Sequence, residues 1–441
     1  MPAPPTPDIL ALRGRVVTFR DNPFTTDPVA ALHHEEDGLL IIRDGRIAQM
    51  GTYADTLRHL PADTQVTHYP DCVISAGFVD THVHYPQLPM IAAYGEQLLE
   101  WLERYTFPTE SRFRDPAYAR DIARRFLAGL LRCGTTTAAV FCTVHPQSVE
   151  AFFSESERLN TLMIAGKVLM DRNAPPDLRD TAQRGYDESL ALMTRWHGRG
   201  RQMYAVTPRF APTSSEEQLE LAGALLARDQ TVFMQTHLAE NLDEVAWVRS
   251  LFPARRSYLD VYAHAGLVRP RAIMGHAIHV DEPDLMTCHD SGCALAHCPT
   301  SNLFLGSGSF RLFDALDPRR PVRVGLGTDI GAGTSLSQLQ SLNEAYKVAQ
   351  GTGHRLHPVQ AFWLATAGGA QALHLDHRIG TIAPGMEADL CILDPEATPL
   401  QALRAQSCDS ISDLLFSLMM LGDDRSIRAT YVAGRRVHER A

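Results

Sequence analysis

The sequence predicts an α/β protein, a parallel sheet closed into a barrel or left open, with a smaller β-rich module contributed by both chain ends. Three observations predict it. Strand and turn signals crowd the two ends, short apolar runs alternate with amphipathic helical segments between them, and polar side chains able to bind metal or move protons recur just after those runs.

Near the start, Gly38 to Met50 holds two apolar runs around Asp44-Gly45, a hairpin signal because that turn needs positive φ. Near the other end, Leu390 to Asp394 and Thr430 to Val437 read the same way, with Gly434 at the turn. One composite module from both termini follows. In the middle, Asp115-Pro116 opens a helix as N-cap and first helical residue, and Gly134 stops it after Leu130-Leu131-Arg132. Ser215 opens another, where Gln218 three residues on completes a capping-box pattern. The only proline-rich stretch is the start, Met1-Pro2-Ala3-Pro4-Pro5, for which we expect disorder.

A chain of 441 residues with 45% hydrophobic content can bury a large core. Its formal charge of −10 opposes a phosphate backbone, so no nucleic-acid partner is expected. No stretch approaches the ~20 apolar residues of a spanning helix, and the start lacks the basic and apolar regions of a secretory signal. The expected address is the cytoplasm, away from membranes. The eight cysteines include no Cys-x-x-Cys pair and read as reduced core or pocket residues.

The reactive side chains cluster where strands end. Val73 to Asp80 runs into His82 and His84, Tyr204 to Thr207 into Arg209 and Phe210, and Val232 to Thr236 into His237 and Glu240. Ala272 to Gly275 runs into His276, and Val322 to Thr328 into Asp329. In parallel α/β barrels every βα loop opens on one face, so residues far apart in sequence can share a site there. Alternate strand residues point to one side, which lets His82 and His84 face one ion. A third imidazole from His237 and a carboxylate from Asp329 complete a divalent-metal site with room for water. Blander readings exist for each: Asp329 suits a helix N-cap, and His237 with Glu240 suits a strand end meeting a helix. Five such coincidences at strand ends favour the site. No zincin, P-loop, hydrolase-elbow or small zinc-deaminase signature competes with it, and Gly325-x-Gly327 reads as a packed strand.

With Phe78-Val-Asp80-Thr-His82-Val-His84, His237, His276 and Asp329 assembled, the chain resembles the metal-dependent amidohydrolase superfamily, and Gly380 to Leu390 looks like the same group. Within it the resemblance is to the guanine deaminases. It is carried by His84-Tyr-Pro-Gln87, Tyr94-Gly-Glu-Gln-Leu-Leu-Glu-Trp101-Leu, Tyr105-Thr-Phe-Pro108-Thr-Glu110, Thr207-Pro-Arg209-Phe210, Thr236-His237-Leu-Ala-Glu240-Asn and Gly327-Thr-Asp329-Ile-Gly331-Ala-Gly333. The resemblance implies a (β/α)8 TIM-type barrel over 76–384, a composite β-sandwich from 1–75 and 385–441, one zinc per subunit, a homodimer, and conversion of guanine to xanthine and ammonia. Its metal ligands carry over to His82, His84, His237 and Asp329, and its substrate and acid–base positions to Gln87, Arg209, Phe210, Glu240 and His276. Lys167 is the residue where two-metal relatives carry a carbamylated lysine; the one-metal branch sets it aside as structural.

In the expected chemistry a bound cation acidifies a water, Glu240 protonates ring N3, Asp329 takes the water proton, and His276 stabilises the oxyanion. Arg209 and Gln87 are expected to read the six-oxo edge, with Phe210 stacking; for Arg209 an interior ion pair is the alternative. The apolar segment from Leu98 to Phe107, with Leu98 and Trp101, caps the pocket or simply packs on the barrel. Three imidazoles and a carboxylate also suit Fe2+. The rival substrates are other aminated heterocycles such as 8-oxoguanine, cytosine or an s-triazine, and the rival class is a silent scaffold.

Overall fold

The computed structural model describes residues 9–95 and 97–440; the proline-rich start, on which the expected disorder falls, and Glu96 lie outside them. Eight strands, Phe78–His84, Thr135–Phe141, Leu162–Gly166, Gln202–Pro208, Phe233–Leu238, Ala272–His276, Ala294–His297 and Arg323–Leu326, run parallel and in chain order. They are buried on both faces almost throughout, with helices outside and side chains filling the interior, which is why they read as near-continuous apolar runs. Closure comes just past the eighth strand. Asp329 N–H donates to the His82 carbonyl at 2.9 Å, and Thr328 N–H donates to Asp80 Oδ1 at 3.1 Å. A Cβ at Gly325 would stand 2.2 Å from Thr81 Cγ2, so only glycine lets the last strand lie against the first. Of the two sheet forms open to the sequence, the molecule takes the (β/α)8 barrel.

Both chain ends meet in a second sheet. Its seven strands follow the order Arg435–Glu439, Ile427–Val432, Leu390–Leu393, Val66–Ala76, Ile9–Phe19, Leu32–Arg43, Arg46–Thr52, and the seam is the antiparallel pairing of Leu390–Leu393 with Val66–Ala76. The two expected turns are there: Asp44 and Gly45 have φ of 49° and 74°, Ala433 and Gly434 have 45° and 72°. Leu12, Leu40, Ile74, Leu390 and Tyr431 form this sheet's own core. Arg201, just before the fourth barrel strand, ties it to the barrel: its Nη2 lies 2.6 Å from Asp389 Oδ2 and 2.7 Å from Glu387 Oε2.

Asp115 caps the helix Pro116–Arg132 by accepting from Ala117 N–H at 2.9 Å, and Gly134 at φ 78° turns the chain away, as the sequence predicts. The capping box at Ser215 is only half made. Ser215 Oγ accepts from Gln218 N–H at 3.1 Å, but the Gln218 amide donates instead to Asp180 Oδ1 at 3.1 Å. Gln218 is buried, and Asp180, which also holds the Lys167 ammonium, is the partner it meets there. Among the described residues no cysteine is in a disulfide and no helix is long and apolar enough to cross a membrane.

Candidate active site and metal centre

The first barrel strand puts His82 and His84 on the same side at its carboxyl end, where His237 arrives from the fifth strand and Asp329 from the loop after the eighth. The fit is tight by design of the neighbours. Cβ atoms at Gly275 and Gly327 would come within 2.7 and 2.9 Å of His82 atoms, so both positions must be glycine for the ring to sit there. The loops beyond the strands are bent: Ala239, His276, Ala277 and Asp329 have φ of 47°, 68°, 48° and 49°. Left-handed backbone at non-glycine residues costs about 1–3 kcal/mol each and is retained chiefly where it aims a functional group.

Asp329 Oδ1 lies 3.5 Å from His82 Nε2 and 3.5 Å from His84 Nε2, and His84 Nε2 lies 3.0 Å from His237 Nε2. Four ligands at ~2.1 Å from a tetrahedral ion stand ~3.4 Å apart, and these three spacings are close to that. Protonation agrees with that use. Burial pushes His82 down and His84 and His237 well down, leaving lone pairs free. Burial would raise Asp329, but the His82 imidazole 3.5 Å away and those of His276 and His84 hold it well below the ordinary carboxylate range. Both ring nitrogens of His82 are buried without a hydrogen-bond partner, a costly arrangement unless something else engages them. His237 Nδ1 donates to the Arg209 carbonyl at 2.7 Å, which fixes the tautomer and directs Nε2 inward. The donor set therefore fits a divalent cation.

His276 and Glu240 flank this cluster. His276 Nε2 lies 3.4 Å from Glu240 Oε2 and 3.7 Å from Asp329 Oδ2, while its Nδ1 meets Asn302 Oδ1 at 2.8 Å. Burial opposes the His276 cation, but Glu240 and Asp329 outweigh it and raise the imidazole. Burial, reinforced by the nearby Asp329 and Glu244, pushes Glu240 up to about 7, and its Oε1 accepts from Ser307 Oγ at 3.2 Å. The segment carrying Glu240 is clamped by Glu244, whose Oε2 accepts from Glu240 and Asn241 N–H groups at 2.9 and 3.1 Å and whose Oε1 accepts from Tyr258 at 2.7 Å. Asn241, not Glu240, caps the next helix, Leu242–Leu251.

A pocket opens over the cluster. Its walls include Gln87, Leu98, Trp101, Arg209 and Phe210, together with His84, His237, Glu240, His276 and Asp329; His82 does not line it but stands 3.5 Å from Asp329. The structure thus brings every candidate named from the sequence to one place. Arg209 takes both suggested environments: its Nη1 donates to Glu110 Oε1 and Oε2 at 3.0 and 2.8 Å, an interior ion pair, and the residue also lines the pocket. Leu98 and Trp101 are likewise both core and wall, packed with Leu102 and Phe107. Lys167 is buried elsewhere, its ammonium against Asp180 and 3.5 Å from Glu188 Oε2.

Several residues escaped sequence reasoning. Asp80, fully buried and pushed up to about 7 by burial, receives Thr328 N–H and Oγ1–H and so pins the Asp329 loop to the first strand. Asn302 and Glu110 were silent because their partners come from other segments, whereas Glu244 stands three residues after Asn241 in a capping-box spacing that the sequence shows. Cys298 has its Sγ within 4.8 Å of ligand atoms of His82, His276 and Asp329, and burial keeps the thiol protonated.

The amidohydrolase family profile matches residues 73–437. Guanine deaminase of Escherichia coli (strain K12) is 51% identical over 433 residues, covering 98% of each chain. Among solved structures, guanine deaminase from Bradyrhizobium japonicum superposes with a TM-score of 0.94 at 36% identity, and that from C. acetobutylicum, with guanine bound in its active site, with 0.87 at 27%; each match covers 98% of this chain and all of the other. Identity sustained along almost the whole of both chains, on the same closed barrel, has one reading: the chain belongs to the amidohydrolase family, among its guanine deaminases.

Proposed function

We propose that the protein hydrolyses guanine to xanthine and ammonia, as a homodimer in the cytoplasm with one zinc per subunit. The barrel over 76–384 carries the site, and 1–75 with 385–441 form the second module. One observation carries the reading: four donors, His82, His84, His237 and Asp329, converge at one end of a pocket whose other end offers Arg209 and Gln87. The guanine in the C. acetobutylicum relative's active site supports the substrate.

His82, His84, His237 and Asp329 would hold a divalent cation, which would supply a water acidified toward ~7 as the nucleophile at neutral pH. The protein's own groups do the rest. Asp329 Oδ2, on the side facing His276, takes the proton the attacking water releases. Glu240, raised to about 7 through burial, delivers a proton to ring N3, which lets C2 accept the new C–O bond. Asp329 then passes that proton to the exocyclic amine, the C2–N bond breaks and ammonia leaves, and the proton remaining on the C2 hydroxyl returns to Glu240 as the C2 carbonyl forms. His276, raised and held by Asn302, donates to the oxygen gaining charge at C2. Phe210 covers the purine face, and Leu98 and Trp101 keep bulk water out.

Metal analysis of the purified protein, coupled to a guanine-to-xanthine absorbance assay before and after chelation, tests this reading. About one zinc per chain is expected, with activity lost on chelation and restored by Zn2+. Ammonia release from 8-oxoguanine, cytosine or an s-triazine that outpaces guanine would overturn the substrate. Trp101→Ala should raise KM for guanine by about tenfold, the value of a wall of that size; unchanged kinetics would remove the capping role.

A further inference from the structure

We infer that Glu110, a residue with no contact to the reacting atoms, sets the substrate specificity of the pocket by dictating which hydrogen-bonding groups Gln87 and Arg209 present to it. Glu110 is fully buried on the helical turn Phe107–Glu110, behind the pocket wall. Its carboxylate, paired with a guanidinium, only accepts hydrogen bonds. The atom of Gln87 facing it must therefore be Nε2, 3.2 Å from Glu110 Oε1. That leaves Gln87 Oε1, which lies against Gly331, as the acceptor of the amide. Arg209 is constrained in the same way: Nη1 is consumed by both Glu110 oxygens, and Nη2 and Nε keep their donors. Phe107 packs beside the guanidinium, its ring centroid 5.6 Å from Arg209 Cζ, and limits rotation out of this arrangement.

Gln87 and Arg209 both line the pocket, so its wall offers an acceptor from the one and donors from the other. A lactam edge, carbonyl oxygen next to ring N–H, matches that pair. An amidine edge, amine next to an unprotonated ring nitrogen, sets donor against donor and acceptor against acceptor. One acceptor-only group behind the wall therefore decides between six-oxo and six-amino purines, because removing its charge lets the Gln87 amide turn over. Glu110 acts through Gln87 and Arg209 and is a positioning residue.

This inference rests on the proposed guanine reading, and the test separates the two. Hypoxanthine and adenine both lack the two-amino group and differ in the edge in question, so their inhibition constants against guanine turnover by the zinc-loaded enzyme isolate edge reading. Wild type should prefer hypoxanthine. Glu110→Gln, nearly isosteric, should narrow the adenine-to-hypoxanthine ratio at least about tenfold, whereas Glu110→Asp, which still only accepts, should keep the ratio while weakening both ligands. A merely structural role would weaken both inhibitors in step, and an unchanged ratio in a folded Glu110→Gln protein overturns the inference. Should that variant not fold, Gln87→Leu with Glu110 intact decides, a retained ratio again overturning it. No guanine turnover by wild type would instead defeat the functional reading itself.

Discussion

Asp329→Asn should lower kcat/KM for guanine by about a thousandfold or more, the combined loss of an anionic ligand and of the acceptor for the water proton. The substitution changes almost no volume, and the backbone bond from residue 329 N–H to the His82 carbonyl survives it. Stability should therefore move little. The asparagine amide would bring hydrogens toward His82 and His84 Nε2, where the carboxylate Oδ1 now stands 3.5 Å from each. Zinc content should fall with activity, measured on the same preparation. Full metal and full turnover in this variant would mean that the cage is held by the three imidazoles alone.

Glu240→Gln should lower kcat by about a hundredfold to ten-thousandfold, the range for loss of a general acid–base, with zinc content unchanged. Glu240 is not among the cage donors, and its backbone N–H remains held by Glu244, so the segment keeps its place. An amide still accepts from Ser307, but it cannot give up a proton near pH 7 as a carboxyl raised to about 7 can. The two variants thus separate: one loses metal and turnover together, the other turnover alone. Steady-state kinetics with parallel metal analysis reads both, and full guanine turnover by Glu240→Gln would remove the proton shuttle assigned to this residue.

Much of this site could be read before any coordinates, for a local reason. His82 and His84 are spaced by the two-residue repeat of a strand, and His237, His276 and Asp329 each follow an apolar run, so each announces itself within its own segment. Glu110 does not. It follows an apolar stretch like many surface glutamates, and its meaning lies in Arg209, 99 residues away. Asp80 and Thr328 meet across 248 residues, at the seam where the barrel closes. Gln218 marks the opposite failure: its spacing from Ser215 is right for a capping box, yet a buried carboxylate on another segment takes its side chain.

The amino-acid sequence alone determined the alternation of strand and helix, the hairpins at Asp44-Gly45 and Gly434, and the supply of three imidazoles and a carboxylate at strand ends, because these depend on dihedral preference and short-range periodicity. The tertiary structure decided closure of the sheet and which face of each polar group remains free. Those outcomes follow from contacts between distant segments: a glycine at 325 that lets two strands touch, and a carboxylate at 110 that uses up donors and leaves an acceptor showing.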